Sequence, residues 1–261
     1  RSAVLVCLAE SDEFITRTVE MFQSLFENEV VPESWKEVVV SMLYKKGDVR
    51  DPGNYRGISL MSIVAKVYEK LLTNRMTEFL ENNKCYDESA QGSRKNRSAV
   101  DNMVIFMIVL QIRSVKGLNT IVMFLDEYKC YPRAFRDAIM LKLAECGVTG
   151  SLWHALDEMA ERLTSYVRVG HVRSKGYPVE NGIIEGAVSS PSKYSVASDK
   201  IPVRLREKGL GVVELGVWVG VLSFVDDKTL LAGSMAEAQA MLDVVAQVSK
   251  EELTQYSVSK T

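Results

Sequence analysis

The chain has 261 residues, of which 47% are apolar, and its formal net charge at pH 7 is −2. A chain of this length and composition can bury a sizeable core, either as one large domain or as two modules. It contains no run of about 18 apolar residues, which excludes a transmembrane helix. The four cysteines have no C-x-x-C spacing and there are only two histidines, so a zinc site is disfavoured and reduced thiols in an intracellular setting are indicated.

The weakly acidic charge counts against nucleic-acid binding, because contacts with phosphates rely on Lys and Arg. The charge is uneven, however, since residues 45–97 carry an excess of Lys and Arg while acidic residues gather near the N-terminal helix. The chain begins with Arg1 and without a secretory signal pattern, which favours a fragment of a longer protein.

The first half of the chain is predicted to alternate helices with a strand and two polar loops. Apolar residues at helical spacing predict helices over residues 10–28 and 59–81, and the run over residues 38–43 predicts a strand. Residues 44–56 form a polar, turn-rich segment. The basic segment 91–97 is either a solvated loop or a contact to a template backbone, and Ser98 with Asp101 predicts a capping box that opens the next helix.

A buried strand is predicted over residues 120–125, and it ends at Asp126. A carboxylate in this position is costly to bury unless it is paired or coordinated. Asp126 is therefore either a site residue or a cap for the next predicted helix, residues 134–145.

The second half is predicted to contain further helices and a hairpin. Helices are expected over residues 151–163, 198–208 and 235–253. A hairpin is expected from strands 166–173 and 176–184, which meet at a Ser-Lys-Gly turn.

The segment LSFVDDKTLL (Leu222 to Leu231) predicts a second hairpin, with Asp226 and Asp227 at its tip. Neighbouring carboxylates repel each other, so a fold that aims both at one point needs a cation, and carboxylate oxygens suit Mg²⁺. The alternative is an ordinary solvated Asp-Asp loop. Two strand ends that converge across a sheet, one with Asp126 and one with this pair, are an arrangement that two-metal phosphoryl-transfer enzymes use.

Both segments resemble the polymerase motifs of reverse transcriptases of the non-LTR retrotransposon (LINE-like) type. FLDEYKCYPRAF resembles the first palm motif and FVDD resembles the second. Further matches follow the order of the family along nearly the whole chain: VPESWKEVVVSMLYKKGD, DPGNYRGISLMSIVAKVYEKLLTNRM, QGSRKNRSAVDNM, NGIIEGAVSSP and the closing SVSKT with Lys260.

The resemblance implies an RNA-directed DNA polymerase in which Asp126, Asp226 and Asp227 hold two Mg²⁺ ions. It also implies nucleotide-binding roles for another set of residues. They are Arg56 with Lys45 and Lys46 in a fingers hairpin facing the triphosphate, Tyr131 under the sugar, and Glu185 with Gly186 near the nucleotide or template base.

Three single residues and one short segment depart from the family pattern. Cys130 stands where the family has Ala, and Pro132 stands where it has Asp and is expected to restrict Tyr131 to extended conformations. Glu185 replaces a Gln, so it accepts hydrogen bonds but cannot donate them. Beyond Glu185, the polar run Ser192–Tyr194 replaces an apolar one. A degenerate copy that keeps the fold and RNA binding without catalysis therefore stays open, as does a general Mg²⁺-dependent phosphohydrolase.

The expected fold is α+β, with the right-hand fingers and palm of a polymerase, an antiparallel palm sheet backed by helices, a helix after the Gly186 motif, and no thumb. Residues 1–118 are expected to be fingers-like and residues 119–261 palm-like. The partners that the resemblance implies are an RNA template with a DNA primer, dNTPs, and further domains of a parent polyprotein, among them a thumb. Whether that polyprotein includes an endonuclease is open.

Overall fold

The computed structural model describes residues 10–256, so Cys7, Lys260 and the closing segment 257–261 lie outside the described residues. In chain order the elements of the first part are α1 (Asp12–Glu27), β1 (Glu37–Tyr44), β2 (Tyr55–Leu60), α2 (Ile63–Asn82), α3 (Ala99–Val115), β3 (Ile121–Leu125), α4 (Cys130–Arg133), α5 (Arg136–Glu145) and α6 (Gly150–Glu158). The remaining elements are β4 (Thr164–Val169), β5 (Val172–Arg173), β6 (Tyr177–Pro178), α7 (Ser190–Ala197), α8 (Lys200–Glu207), β7 (Val213–Glu214), β8 (Val217–Trp218), β9 (Val221–Phe224), β10 (Asp227–Ala232) and α9 (Met235–Glu252).

The chain divides into two compact units, each assembled from two separate stretches. The first unit takes the chain up to Leu72 together with Val148–Glu180, and the second takes Thr73–Gly147 together with the chain from Asn181 onward. The division between fingers and palm at residue 118 stays a prediction, because these units are defined by packing alone. No helix within residues 10–256 is long and apolar enough to cross a bilayer.

The first unit is built on a mixed five-stranded sheet with β1 at its centre. β1 pairs antiparallel with β2 and parallel with β4, which also pairs with β5 and β6. Trp35, Phe22 and Tyr68 form an aromatic cluster with ring centroids 5.2–6.2 Å apart. Lys36 is buried and forms an ion pair with Glu158.

The second unit contains the three-stranded antiparallel sheet β3-β10-β9, and helices cover both of its faces. Side chains of β3 and β10 that point to one face, among them Leu125 and Leu230, pack against α8 and α9. Side chains that point to the other face, among them Leu231, pack against Val109 of α3. This is the helix-backed palm sheet of the expected α+β polymerase fold.

Three details of the predicted secondary structure need correction. Ser59 and Leu60 belong to β2 rather than to the following helix, because their backbone groups pair with β1. The hairpin after β4 turns at Gly170 and His171 instead of at Ser174–Gly176, since both Arg173 and Tyr177 pair back onto β4. The helix predicted from Ala134 begins at Arg136, after the separate turn α4.

Candidate active site

Strand register brings two of the predicted site carboxylates together. β10 runs antiparallel to β3, with Lys228 paired to Leu125, so one further step of the same register sets Asp227 opposite Asp126. Successive side chains of a strand point to opposite faces. Asp126 shares its face with Phe124, whose ring contacts Phe106 of α3, so both carboxylates belong to the α3 face of the sheet.

Asp126 is the N-cap residue of neither helix that follows it. The N-cap positions of α4 and α5 are Lys129 and Phe135, and neither helix has a side-chain cap. Asp126 is partly buried at the end of β3. A carboxylate at a strand end is the arrangement that the site interpretation requires.

Asp226 lies in the tight turn of the predicted hairpin, which the structure confirms. β9 and β10 pair up to Phe224 and Asp227, which leaves Val225 and Asp226 as the turn. Val225 has a positive φ of 59°, which a β-branched residue rarely adopts. Such a conformation costs about 1–3 kcal/mol and persists only where the surroundings hold it.

The start of the QGSRKNR loop holds this turn in place. Gln91 donates a backbone hydrogen bond to the Ser223 carbonyl at 3.0 Å, and the side chain of Asn102 donates to the same carbonyl at 3.1 Å. A Cβ on Gly92 would lie 2.7 Å from the backbone nitrogen of Val225. Only glycine therefore allows the loop to lie directly against the turn.

Cys130 and Tyr131 pack beside the turn, in a cluster with Ile139, Ile183 and Tyr194. Burial, followed by the negative charge of Asp226 and a hydrogen bond from the thiol to it, raises the pKa of Cys130. The ring of Tyr131 meets the ring of Tyr194 edge-on at 5.7 Å. Tyr131 is thus placed close to the turn that carries Asp226.

The expected effect of Pro132 on Tyr131 is wrong. Both residues lie inside the short helix α4, so Tyr131 is helical rather than extended. Pro132 occupies the first turn of that helix, where a backbone N–H has no acceptor within the helix and its loss is tolerated.

Glu185 and Gly186 form the centre of a tight turn before α7. The Ala187 N–H donates to the Ile184 carbonyl at 3.1 Å, and Gly186 has a φ of 104°. This fits a type II turn, which requires a positive φ at its third position. Glu185 is partly buried and Gly186 is exposed.

The polar run that departs from the family pattern is buried in α7, which is the helix expected after the Gly186 motif. Ser192, Lys193, Tyr194 and Ser195 are each at most 6% exposed. The Ser195 hydroxyl lies 3.1 Å from that of Ser93. Burial and the charge of Glu127 raise the pKa of Tyr194 well above its ordinary value, and its hydroxyl donates a hydrogen bond to Glu127. The hydrogen bond of Tyr194 ties α7 to the residue that follows Asp126, and that of Ser195 ties α7 to the loop that packs against the Asp226 turn.

The basic loop 91–97 was predicted to be either solvated or in contact with a template, and its central residue Arg94 fits neither interpretation. Arg94 is buried and forms two hydrogen bonds with Glu81, at 2.8 and 2.7 Å. Arg97 pairs with Glu88 at 2.8 Å, and Lys95 is exposed. Arg94 therefore holds the loop to α2 rather than contacting a template or solvent.

The Arg94 pair predicts a pH-dependent stability. Hydrogen bonds from Arg94 lower the pKa of Glu81 below its ordinary value of 4.5. A carboxyl with a lowered folded-state pKa stabilises the fold above its unfolded pKa, and this contribution is lost as the pH falls through the folded value. Urea unfolding at pH 7 should show Glu81→Gln to be less stable by roughly 3 kcal/mol, because Arg94 stays buried without a counter-charge.

Glu78→Gln is the matched control, since Glu78 is exposed on the same helix. The loss of stability on acidification should be smaller in Glu81→Gln than in the control. Equal pH dependence in the two variants would contradict the assignment.

The predicted nucleotide-binding residues of the first unit lie on the β1–β2 hairpin. Lys45 and Lys46 begin its loop and are exposed, and Arg56 is exposed on β2, paired with Leu43. Gly47 has a φ of 94°, which lets the loop fold back onto Asn54. The fingers hairpin is confirmed as a structure, and the roles of these residues toward a triphosphate stay predictions.

The donors at the sheet end are those that Mg²⁺ prefers, although they do not form a complete cage. Within residues 10–256, no group of three or more His, Cys, Asp or Glu side chains is arranged to hold a metal ion. Mg²⁺ usually takes only one or two carboxylates from the protein and completes its shell with water and substrate phosphates. Asp126 and Asp227 side by side, with Asp226 in the adjoining turn, meet that requirement.

A cavity of about 390 Å³ lies elsewhere in the second unit, among α5, α7 and α9. Glu127 and Tyr194 line it, while Asp126, Asp226 and Asp227 do not. The candidate active site is thus an open sheet end instead of this cavity.

A family model described as reverse transcriptase (RNA-dependent DNA polymerase) matches residues 44–261. The chain belongs to the reverse transcriptase family. Its relatives include a probable RNA-directed DNA polymerase from transposon X-element and an RNA-directed DNA polymerase from mobile element jockey, both of Drosophila melanogaster. The first is 26% identical and the second 24% identical, and each match covers 70% of this chain and 20% of the relative. These relatives place this reverse transcriptase domain in the non-LTR retrotransposon type, and it spans about a fifth of their length.

Solved telomerase structures share the fold of this reverse transcriptase domain. A telomerase from Candida albicans in complex with a fragment of telomeric RNA has a TM-score of 0.61 at 10% identity, covering 92% of this chain and 45% of that one. The apo telomerase from Candida tropicalis has a TM-score of 0.60 at 10% identity, covering 96% and 49%. The polymerase fingers and palm fold is confirmed.

Several residues of interest in this reverse transcriptase domain escaped the sequence analysis. Residues 162–177 contain Arg162, Arg168, Arg173 and Lys175 and no acidic residue, a signal that could have been found by counting charge along the chain. Glu127 and Lys228 occupy inward positions of apolar strands, which is detectable from strand alternation. No local sequence pattern indicates the close approach of Gly92 to Val225.

Proposed function

We propose that this reverse transcriptase domain is an RNA-directed DNA polymerase that transfers nucleotides from dNTPs to a primer 3′-hydroxyl. The observation that carries the proposal is the register that sets Asp227 opposite Asp126 at the end of the β3-β10-β9 sheet. Family membership supports templated nucleotidyl transfer over a general phosphohydrolase, which would use the same carboxylates. The relatives are much longer than this chain, so the activity in their names is ascribed to this chain only as part of the proposal.

Asp126, Asp226 and Asp227 are the residues that would hold two Mg²⁺ ions. Bound Mg²⁺ would supply a lowered pKa for the primer 3′-hydroxyl and would neutralise charge on the leaving pyrophosphate. The strained turn at Val225 holds Asp226 in place, and the Tyr131 ring, packed on Tyr194, gives a rigid surface for a deoxyribose. Arg56, Lys45 and Lys46 would offer cations for the triphosphate, and Gly186, which has no side chain, would let a base approach its turn closely.

One face of the sheet in the first unit has the chemistry of a single-strand binding surface. Side chains that pair across strands share a face, so Ser41 shares its face with Ile58, Arg168 and Arg173. Leu43 and Arg56 are on this face as well. It is exposed, and its apolar centre is flanked by arginines, which suits stacked bases and a phosphate backbone.

One arginine on this face, Arg173, is pre-oriented. The Arg173 guanidinium lies 3.5 Å over the ring of Tyr166 and pairs with Glu37 at 3.1 Å. Arg168 is directly opposite Arg173 across the strands, and like charges in that position are unfavourable. A phosphate between the two would remove this repulsion, so we assign the face to the RNA template.

Binding of single-stranded poly(rU) at several salt concentrations tests this assignment. Arg168→Gln and Arg173→Gln should each weaken binding and lower the slope of log K against log salt by about 0.7, the value for one lost phosphate contact on a single strand. Lys208→Gln, which removes an exposed charge from the second unit, is the control and should leave the slope unchanged. Equal slopes for all variants would refute the assignment.

Primer extension on poly(rA)/oligo(dT) with dTTP and Mg²⁺ tests the polymerase activity. The chain should be compared with a form lengthened toward the size of its relatives, because it spans about a fifth of them. Extension that depends on the template and on Asp226 supports the proposal, and release of phosphate without a primer supports the phosphohydrolase instead.

The second candidate function is RNA binding without catalysis by a degenerate copy. It is favoured by Glu185, a carboxylate in the Gly186 turn where the family has Gln and where its charge would repel a triphosphate. Glu185→Gln separates the two, since extension that appears only in this variant identifies a fold that has lost activity.

A further inference from the structure

Directly beneath the candidate carboxylates lies a buried pair of opposite charges that the proposed chemistry does not use. Glu127 follows Asp126, and Lys228 follows Asp227, so strand alternation turns this pair to the α9 face of the sheet. Their side chains are 4% and 1% exposed, and Lys228 Nζ lies 4.0 Å from Glu127 Oε2. Asp126 and Asp227, the candidate ligands that face each other, are thus each followed in the sequence by one residue of the buried ion pair.

Both side chains are buried, so the pair is not an ordinary surface ion pair. Lys228 Nζ makes no hydrogen bond in the described part of the chain, so the Glu127 carboxylate is its compensation. Glu127 also accepts a hydrogen bond from Tyr194, whose ring supports Tyr131. A buried lysine without its counter-charge is strongly unfavourable, because its desolvation is not repaid.

The backbone around Glu127 is fixed on its other side as well. Tyr128 donates a hydrogen bond to the Gln255 carbonyl at 2.7 Å, and Glu127 forms a β-bridge with Tyr256. The segment from Asp126 to Tyr128 is therefore held between β10 and the chain after α9. The ion pair is a side-chain contact between the two strand ends on this face.

We propose that Glu127 and Lys228 are positioning residues, which lock the ends of β3 and β10 in the register that places Asp126 beside Asp227 for divalent-ion binding. The inference rests on the proposed function for its link to polymerase chemistry. The inference concerns the metal affinity of the strand ends, and this affinity can be measured without catalytic turnover. Loss of either charge leaves the other buried and uncompensated, and the strand end that carries it is pushed toward water.

Mn²⁺ serves as the probe, with binding followed by electron paramagnetic resonance on the full chain in the presence of dTTP. Lys228→Met and Glu127→Gln should each weaken Mn²⁺ binding at least tenfold, and the double variant should recover most of the loss because no uncompensated charge remains. Where extension is measurable, kcat should fall in the single variants with little change in the KM for dTTP, and the required Mg²⁺ concentration should rise.

Lys36→Met is the matched control, because Lys36 is another buried lysine paired with a glutamate, Glu158, but in the first unit. It should lower stability without changing Mn²⁺ affinity. All measurements are made below the unfolding transition of the least stable variant, found by circular dichroism, so that unfolding does not imitate a loss of binding.

The outcomes separate the inference from the proposed function. Folded single variants with unchanged Mn²⁺ affinity, or a double variant no better than the singles, would overturn the inference. Equal loss of Mn²⁺ affinity in Lys36→Met would also overturn it, since the effect would then be general destabilisation. Absence of extension in every form, together with Mn²⁺ binding that follows the pair, would end the polymerase proposal and leave the inference standing.

Discussion

Replacing Asp126 with Asn is expected to lower the rate of nucleotide incorporation by at least about 10³-fold, because a neutral amide cannot balance the charge of catalytic Mg²⁺ ions. The side chains are the same size, and Asp126 caps neither of the helices that follow it. The free energy of unfolding should therefore change little, or increase as carboxylate repulsion with Asp227 is relieved. Single-turnover primer extension and urea denaturation on the same samples measure both quantities.

Asp243→Asn provides the matched control for Asp126→Asn, since Asp243 is an exposed carboxylate on α9 in the same unit. It should retain full activity. The same comparison ranks the three candidates, because Asp126 and Asp227 face each other across the register while Asp226 sits in the turn. A variant of Asp126 that extends primers at the normal rate would remove this strand end from the site.

Gly92→Ala is expected to lower activity about 10²-fold, the loss that a displacement of roughly 1 Å at a catalytic group can produce. The added Cβ would lie 2.6 Å from Val225 Cγ2 and 2.7 Å from the Val225 backbone nitrogen, so the turn that carries Asp226 must shift. Overpacking of this kind also costs about 1–3 kcal/mol of stability. Primer extension with urea denaturation separates these two losses.

Gly117→Ala is the control for the loss of stability alone. Gly117 has a φ of 69°, and no heavy atom of the described residues other than itself and its two chain neighbours lies within 4 Å of the position that a Cβ would take there. Alanine at this position therefore strains the backbone without touching the site. Its stability should fall by about 1 kcal/mol with activity unchanged. If Gly92→Ala kept full activity at a similar loss of stability, the close approach of its loop would have no bearing on the turn.

Much of the local structure followed from residue patterns. Apolar residues with helical spacing located α1 and α9, and Ser98 with Asp101 located the start of α3 through its capping box. The two apolar runs flanking Asp226 and Asp227 located the β9–β10 hairpin. These signals are local, because helix caps, turns and strand alternation depend on residues only a few positions apart.

Two local predictions were wrong because a segment elsewhere in the chain makes the deciding contact, and a third was wrong because of the short helix α4. Ser59 and Leu60 continue an apolar pattern into α2, yet pairing with β1 keeps them in a strand. Arg94 has the sequence context of a solvated charge but is buried, because Glu81 at the end of α2 supplies a bidentate acceptor. Pro132 was expected to force an extended Tyr131, and the short helix α4 accommodates both.

The residue types of the candidate site were determined by the sequence itself: Asp126 at the end of an apolar strand, and Asp226 with Asp227 in a tight turn. Only the tertiary structure decided which of them meet, since the register of β3 against β10 sets Asp227, and not Asp226, opposite Asp126. It also placed Gly92 against the turn and Glu127 against Lys228. The physical reason is that register and burial arise from packing between segments about a hundred residues apart, and no short-range propensity carries that information.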